Sequence, residues 1–209
     1  DRLGMHIKDQ FYVFFNPSNH FPQLKDINFC DELMGSIRHL LGPNFYLIHD
    51  QFTIKNPMDS ENRFGSFGWH QDRYDSELEI ETHDPFISCL IPLDDMNNEN
   101  GGLRIVPLSN YSKSRTPMIH SGGRITEDVE KYAITVDCEV GDVIFWSSNT
   151  LHSSLPNTSE TNSRWAYIAQ FSGATLTMAE RNDCAMRSGQ LIGQTRPDPS
   201  KPLLHGVPT

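Results

Sequence analysis

His70 and Asp72 in Trp69-His70-Gln71-Asp72, with His152 far downstream after Leu151, supply two imidazoles and a carboxylate. That is the smallest protein ligand set that holds a ferrous ion and leaves positions open for dioxygen and a co-substrate. Twelve residues beyond His152, Arg164 stands in the otherwise apolar run Ser-Arg-Trp-Ala-Tyr-Ile-Ala-Gln-Phe. A guanidinium buried in such a run needs an anionic partner, and a dicarboxylate co-substrate would supply one. Along an extended strand residues i and i+2 point to the same side, so His70 and Asp72 would present their side chains together while Trp69 and Gln71 face elsewhere. His152 follows the apolar run 143–146 and the polar turn Ser147-Ser148-Asn149-Thr150, a position that suits the mouth of a barrel.

A competing reading has weight. The chain has nine histidines, and a His-x-Asp pair taken alone is more often a surface hydrogen bond than a metal site. His6, His20, His39, His49, His83, His120 and His205 show no partner pattern and read as solvated or hydrogen-bonded imidazoles. His83-Asp84 is the rival pair, but adjacent strand residues face opposite ways and make a poor chelate.

The elements that must position these residues are mostly strands. One helix is predicted over 26–41, where Cys30, Leu33, Met34, Ile37, Leu40 and Leu41 recur at helical spacing and Gly42-Pro43 forms a stop. From Phe45 onward the pattern changes to short β-prone runs at 45–54, 85–93, 103–107, 133–136, 143–146 and 164–172. Six such runs predict a mainly β chain with flanking helices, a β-sandwich or jelly roll. Residues 97–102 (Asn-Asn-Glu-Asn-Gly-Gly) and 139–142 (Glu-Val-Gly-Asp) read as turns. The polar stretch 112–124 is either a loop over a site or a long solvated connection. The Pro-rich segment 185–209 reads as an extended tail.

The composition bounds the function. A chain of 209 residues with 37% hydrophobic content and no long apolar run is sized for one domain, 1–209, with its core at about 45–172. A formal net charge of -10 offers no basic stripe for a phosphate backbone or an anionic membrane surface. Cys30, Cys89, Cys138 and Cys184 are widely spaced and form no Cys-x-x-Cys pair, which suits reduced thiols and a cytoplasmic location. The chain opens at Asp1 without a signal-peptide pattern. Nothing in the chain speaks to its oligomeric state.

Several runs together resemble the phytanoyl-CoA dioxygenase family of Fe(II)- and 2-oxoglutarate-dependent oxygenases. They are Ser66-Phe67-Gly68-Trp69-His70-Gln71-Asp72, Ile91-Pro92-Leu93-Asp94-Asp95, Glu99-Asn100-Gly101-Gly102-Leu103 and Ile105-Val106-Pro107-Leu108-Ser109. Further along come Gly141-Asp142-Val143-Ile144-Phe145-Trp146-Ser147-Ser148, Leu151-His152-Ser153-Ser154, Pro156-Asn157-Thr158-Ser159 and Arg164-Trp165-Ala166-Tyr167. The resemblance spans 45–172 in family order, and the combination is more specific than any single motif. It implies a cupin-like double-stranded β-helix, iron ligation by His70, Asp72 and His152, and pairing of Arg164 with the distal carboxylate of 2-oxoglutarate, a task suited to its planar fork. It also places Lys55, Ser88 and Phe67 at co-substrate positions; their other readings are an exposed strand lysine, a strand serine and a core aromatic. Gln71 and Tyr74 border the ligands and are candidates to touch substrate or co-substrate.

The implied activity is oxidation of an unactivated C–H in a small metabolite or biosynthetic intermediate, usually hydroxylation, with 2-oxoglutarate and O2 consumed and succinate and CO2 released. Trp69, Tyr74 and Trp146 are candidate pocket walls or core residues. The acidic balance disfavours a highly anionic acyl-CoA. Retention of Asp72 favours oxygenation over halogenation, since halogenating relatives replace that carboxylate by a small residue. Desaturation, epoxidation and ring closure are the alternative outcomes. A non-catalytic jelly roll holding a metal and a zinc hydrolase are the readings from other classes. Arg164 weighs against the first, and the want of a general-base carboxylate at recognisable spacing against the second.

Overall fold

The computed structural model describes residues 4–7, 11–43, 45–57, 65–72, 86–107, 129–173, 203–204 and 207–208. The chain enters through a hairpin of β1 (Gly4–Ile7) and β2 (Phe11–Phe15). The aromatic and β-branched run of β2 favours extended backbone, and β2 pairs with β3 (Tyr46–Lys55). This hairpin has no counterpart among the predicted strands.

A 3-10 turn at Pro17–Asn19 leads to α1 (Leu24–Asn28) and α2 (Asp31–Leu41). The single helix predicted over 26–41 is thus two. Cys30 is extended, with φ -67° and ψ 153°, and the Asn28 side chain is drawn inward to the Tyr167 hydroxyl, 2.7 Å away. The predicted stop is present: Gly42 takes φ 88° and its N–H bonds the Arg38 carbonyl, in a backbone region that glycine enters without strain.

The remaining strands are β4 (Phe67–His70), β5 (Ile87–Pro92), β6 (Leu103–Ile105), β7 (Ile134–Val136), β8 (Ile144–Ser147), β9 (His152–Ser154) and β10 (Arg164–Ser172). One antiparallel sheet has the order β1-β2-β3-β10-β5-β8 and a second has the order β4-β9-β6-β7. A separate ladder joins β11 (Leu203–Leu204) to β12 (Val207–Pro208). This is the mainly β, jelly-roll architecture with flanking helices that the sequence predicts. Each predicted run contains a strand; β4 and β9, four and three residues long, lie outside those runs, although the pairing of His70 with Asp72 was argued on an extended strand.

Alternation along the large sheet separates two environments. Its outer face packs Tyr167, Ala169, Phe171 and Cys89 against Leu33, Met34 and Ile37 of α2. Its inner face packs Leu90, Trp146 and Ala166 against Met96, Leu103 and Cys138 from the side of the small sheet. A bulge between Gln170 and Phe171 leaves Ile48 unpaired, so that His49 pairs with Gln170 but Leu47 with Phe171. The extra residue returns Leu47 to the helix side. Cys30, Cys89 and Cys138 are free thiols, and burial pushes Cys89 up to about 12. No helix among the described residues is long and apolar enough to cross a membrane. The stretch 112–124, Cys184 and Tyr74 lie outside the described residues, as does the segment 185–209 except for β11 and β12.

Candidate active site

His70 ends β4 and His152 begins β9, and the two are direct partners across that antiparallel pair. Opposed residues project to the same side of a sheet, which brings the two rings to a centroid separation of 4.1 Å. His152 therefore sits on a strand rather than on the preceding turn. Asp72 lies on a bend two residues past the end of β4 rather than on the strand itself. The bend turns its carboxylate back toward the rings, so the two side chains meet for a different reason than strand alternation.

Asp72 Oδ1 is 3.5 Å from His152 Nε2 and 3.8 Å from His70 Nε2, and one donor atom from each residue falls within 4.8 Å of the others. His70 Nδ1 is 2.8 Å from the Gly68 carbonyl and His152 Nδ1 is 3.0 Å from the Thr150 carbonyl. A carbonyl only accepts, so each Nδ1 carries a proton, and in that tautomer of a neutral ring the Nε2 lone pair is directed at the shared space. Two imidazoles in this tautomer and a carboxylate fit a divalent iron, and among the described residues no further His, Cys, Asp or Glu joins the group.

The outer oxygen, Asp72 Oδ2, accepts hydrogen bonds from Ser88 Oγ at 2.6 Å and Trp146 Nε1 at 2.8 Å. Ser88 Oγ in turn accepts from Gln170 Nε2 at 3.1 Å. Gln71 does not line the cleft: its Nε2 donates to the Asn149 carbonyl at 2.5 Å, tying the Asp72 bend to the turn before β9. Trp69 faces away from the ligands, as its strand position predicts, and is not a wall of the cleft; its indole N–H bonds Glu130 and Arg104 stacks on its ring.

A cleft partly open to solvent lies between the sheets. The three ligand candidates lie along one side of it, with Phe67 and Trp146 beside them. Arg164 and Lys55 line the same cleft, directly paired across β10 and β3 and 3% and 1% exposed. The reading of Lys55 as an exposed strand lysine is therefore excluded. Its ammonium donates to Ser154 Oγ at 2.7 Å and to the Leu155 carbonyl. Arg164 donates to the Gly101 carbonyl at 3.0 Å, to Thr53 Oγ1 at 3.4 Å and to the Asn100 carbonyl at 3.5 Å, and it has no carboxylate partner among the described residues. Burial pushes Arg164 down to about 10, and burial followed by the Arg164 charge holds Lys55 well below the usual lysine range. Two adjacent buried cations, of which Arg164 meets only neutral oxygens among the described residues, suit an anion.

The structure thus brings His70, Asp72, His152, Arg164, Lys55, Ser88 and Phe67 to one cleft, with Ser88 joined to the carboxylate of Asp72. Tyr74 lies outside the described residues. Gln170 and Thr53 were not singled out from the sequence, although alternation offers a signal: each lies an even number of residues from Arg164 or Lys55 on the same strand.

Among solved structures, the non-heme alpha ketoglutarate dependent epimerase SnoN from nogalamycin biosynthesis, in complex with Fe3+, alpha ketoglutarate and nogalamycin RO, superposes with a TM-score of 0.67 at 18% identity, over 95% of this chain and 75% of that one. EvdO2 from Micromonospora carbonacea var. aurantiaca, complexed with 2-oxoglutarate, gives 0.61 at 19% identity, over 82% of this chain and 77% of that one. The carbocyclase SnoK from nogalamycin biosynthesis gives 0.58 at 21% identity, over 78% of this chain and 63% of that one. These likenesses establish the shared fold. A comparison with curated proteins gave no match. The phytanoyl-CoA dioxygenase (PhyH) family matches residues 10–166, from the start of the β1–β2 hairpin's second strand into β10, and the chain belongs to that family of 2-oxoglutarate-dependent non-haem iron oxygenases.

Proposed function

We propose that the protein hydroxylates an unactivated C–H of a small metabolite or biosynthetic intermediate, as a single oxygenase domain working in the cytoplasm. The observation that carries this reading is one cleft lined both by two histidines and a carboxylate and by a buried Arg164–Lys55 cation pair. In this reading His70, Asp72 and His152 hold Fe(II), and Arg164 and Lys55 take the distal carboxylate of 2-oxoglutarate. Bound iron, with O2, supplies the oxidising power released as 2-oxoglutarate is converted to succinate and CO2.

The chain's residues do the rest. The fixed Nδ1–H bonds of both histidines orient their rings without reorganisation, and the two cations set the direction in which the co-substrate enters. Phe67 and Trp146 give the space beside the ligands an apolar border that limits water. The free thiols among the described residues suit a reducing compartment, which supports the cytoplasmic assignment.

A second reading keeps the site and changes the outcome to epimerisation or ring closure. It is favoured by the activities named for SnoN and SnoK. Anaerobic addition of 2-oxoglutarate to the Fe(II)-loaded protein tests the shared part: a saturable visible charge-transfer band is expected, and its absence with iron bound would sink both readings. Product mass then separates them, because hydroxylation adds one oxygen atom and epimerisation leaves the mass unchanged.

A further inference from the structure

We propose that Ser88 and Trp146 clamp the outer oxygen of Asp72, confining this carboxylate to ligation through Oδ1 and so keeping metal positions open for the co-substrate, with Gln170 bracing Ser88. The inference rests on the reading of His70, Asp72 and His152 as metal ligands. It concerns the large sheet, which contributes none of them.

Gln170, Ser88 and Trp146 are successive partners straight across β10, β5 and β8. All three are buried. Their row faces the metal side of the small sheet, and its polar atoms run in one direction. Gln170 Nε2 is a donor only, so Ser88 Oγ accepts from it. The one hydroxyl hydrogen is then left for Asp72 Oδ2, 2.6 Å away. The indole N–H of Trp146 has no acceptor capacity, and it too ends on Oδ2, at 2.8 Å. Two short bonds to an ionised oxygen are charge-assisted, and both end on Oδ2. Oδ1, the oxygen nearer both histidine Nε2 atoms, is the one left for a metal. A carboxylate without these donors is free to swing and bind through both oxygens, which fills a position that 2-oxoglutarate or O2 requires. Ser88, Trp146 and Gln170 are positioning residues, acting through Asp72.

The test is an anaerobic titration of the metal-free protein with Co(II), read by its visible absorption, followed by addition of 2-oxoglutarate. It uses the wild type, Ser88→Ala, Ser88→Thr and Trp146→Phe. Ser88→Ala and Trp146→Phe are each expected to weaken Co(II) binding by about 10- to 100-fold and to reduce the spectral change on adding 2-oxoglutarate, while Ser88→Thr, which keeps the hydroxyl, restores both. A purely structural role would lower the melting temperature of the metal-free protein and leave the affinity and spectrum alone. Unchanged Co(II) affinity and spectra in both Ser88→Ala and Trp146→Phe overturn the clamp alone. A wild type that takes up no Co(II) overturns the metal-site reading, and the clamp with it.

Discussion

In the proposed function Arg164 and His152 serve different ligands, and substitution separates them. His152→Ala removes one of three donors, so turnover and Fe(II) retention should both be lost, which metal analysis after desalting checks directly. Arg164→Ala leaves the donors in place and should raise the 2-oxoglutarate requirement roughly 10- to 100-fold, the value of losing charge-assisted hydrogen bonds. Titration of the charge-transfer band reads that change. Lys55 adds a pH dependence. Burial beside Arg164 depresses its pKa, and a bound dicarboxylate favours its charged form, so the affinity for 2-oxoglutarate should fall as pH rises through that depressed value. Lys55→Gln should flatten the profile over the range where Arg164 stays charged, and an identical slope in the variant would count against a role for Lys55. His70, Asp72 and His152 stood out in the sequence through the ordered motifs around them, and Arg164 through its place in an otherwise apolar run. The bond from Ser88 to Asp72 did not, since serine is common on strands and only register decides what it faces.

At the scale of elements, Gly101 shows how a turn shapes the site. The sequence marks 97–102 as a turn, and the structure places Gly101 at φ 85° with its α-carbon against the Lys55 stem and the Leu155 carbonyl. A Cβ there would lie 2.6 Å from Lys55 Cδ and 2.8 Å from the Leu155 oxygen. Gly101→Ala should cost about 1–3 kcal/mol in backbone strain and displace Lys55, weakening 2-oxoglutarate binding. Thermal melts and the band titration together check this, and a destabilised variant with unchanged co-substrate affinity would refute the displacement. Strands with apolar runs, such as β5 and β10, were legible because burial on both faces leaves a continuous signal. β4 and β9 left no such signal: at four and three residues they are too short for an apolar period, and pairing with a neighbour holds them extended. Helix periodicity likewise ran across the break at Phe29 and Cys30, where the commitment of Asn28 to Tyr167 outweighs continuation of the helix.

Across the whole molecule, a buried polar cluster ties the N-terminal segment to the large sheet on the side away from the cleft. Asp50 accepts from the Tyr167 hydroxyl at 2.6 Å, and from the Ser18 backbone N–H at 3.1 Å and hydroxyl at 3.2 Å. Burial raises its pKa, with these donors opposing. A carboxyl whose folded pKa lies above its unfolded value stabilises the fold fully at pH below the unfolded value and loses that contribution as pH rises through the folded value. The wild type should therefore lose melting temperature relative to Asp50→Asn as pH rises from about 3.8 through the raised value. Parallel melts of the two proteins across that range check the sign, and a difference that grows in the opposite direction would refute it.

The sequence by itself determined which atoms are available, and the order of motifs that marks the family. It also determined a mainly β chain, because side-chain type and apolar period are properties of the chain alone. Tertiary structure decided that His70 and His152 face one another, that Arg164 lies beside a buried Lys55, and that the row Gln170–Ser88–Trp146 meets Asp72. These are contacts between strands remote in sequence. They depend on register and on the facing of two sheets, which the period of any one strand leaves open.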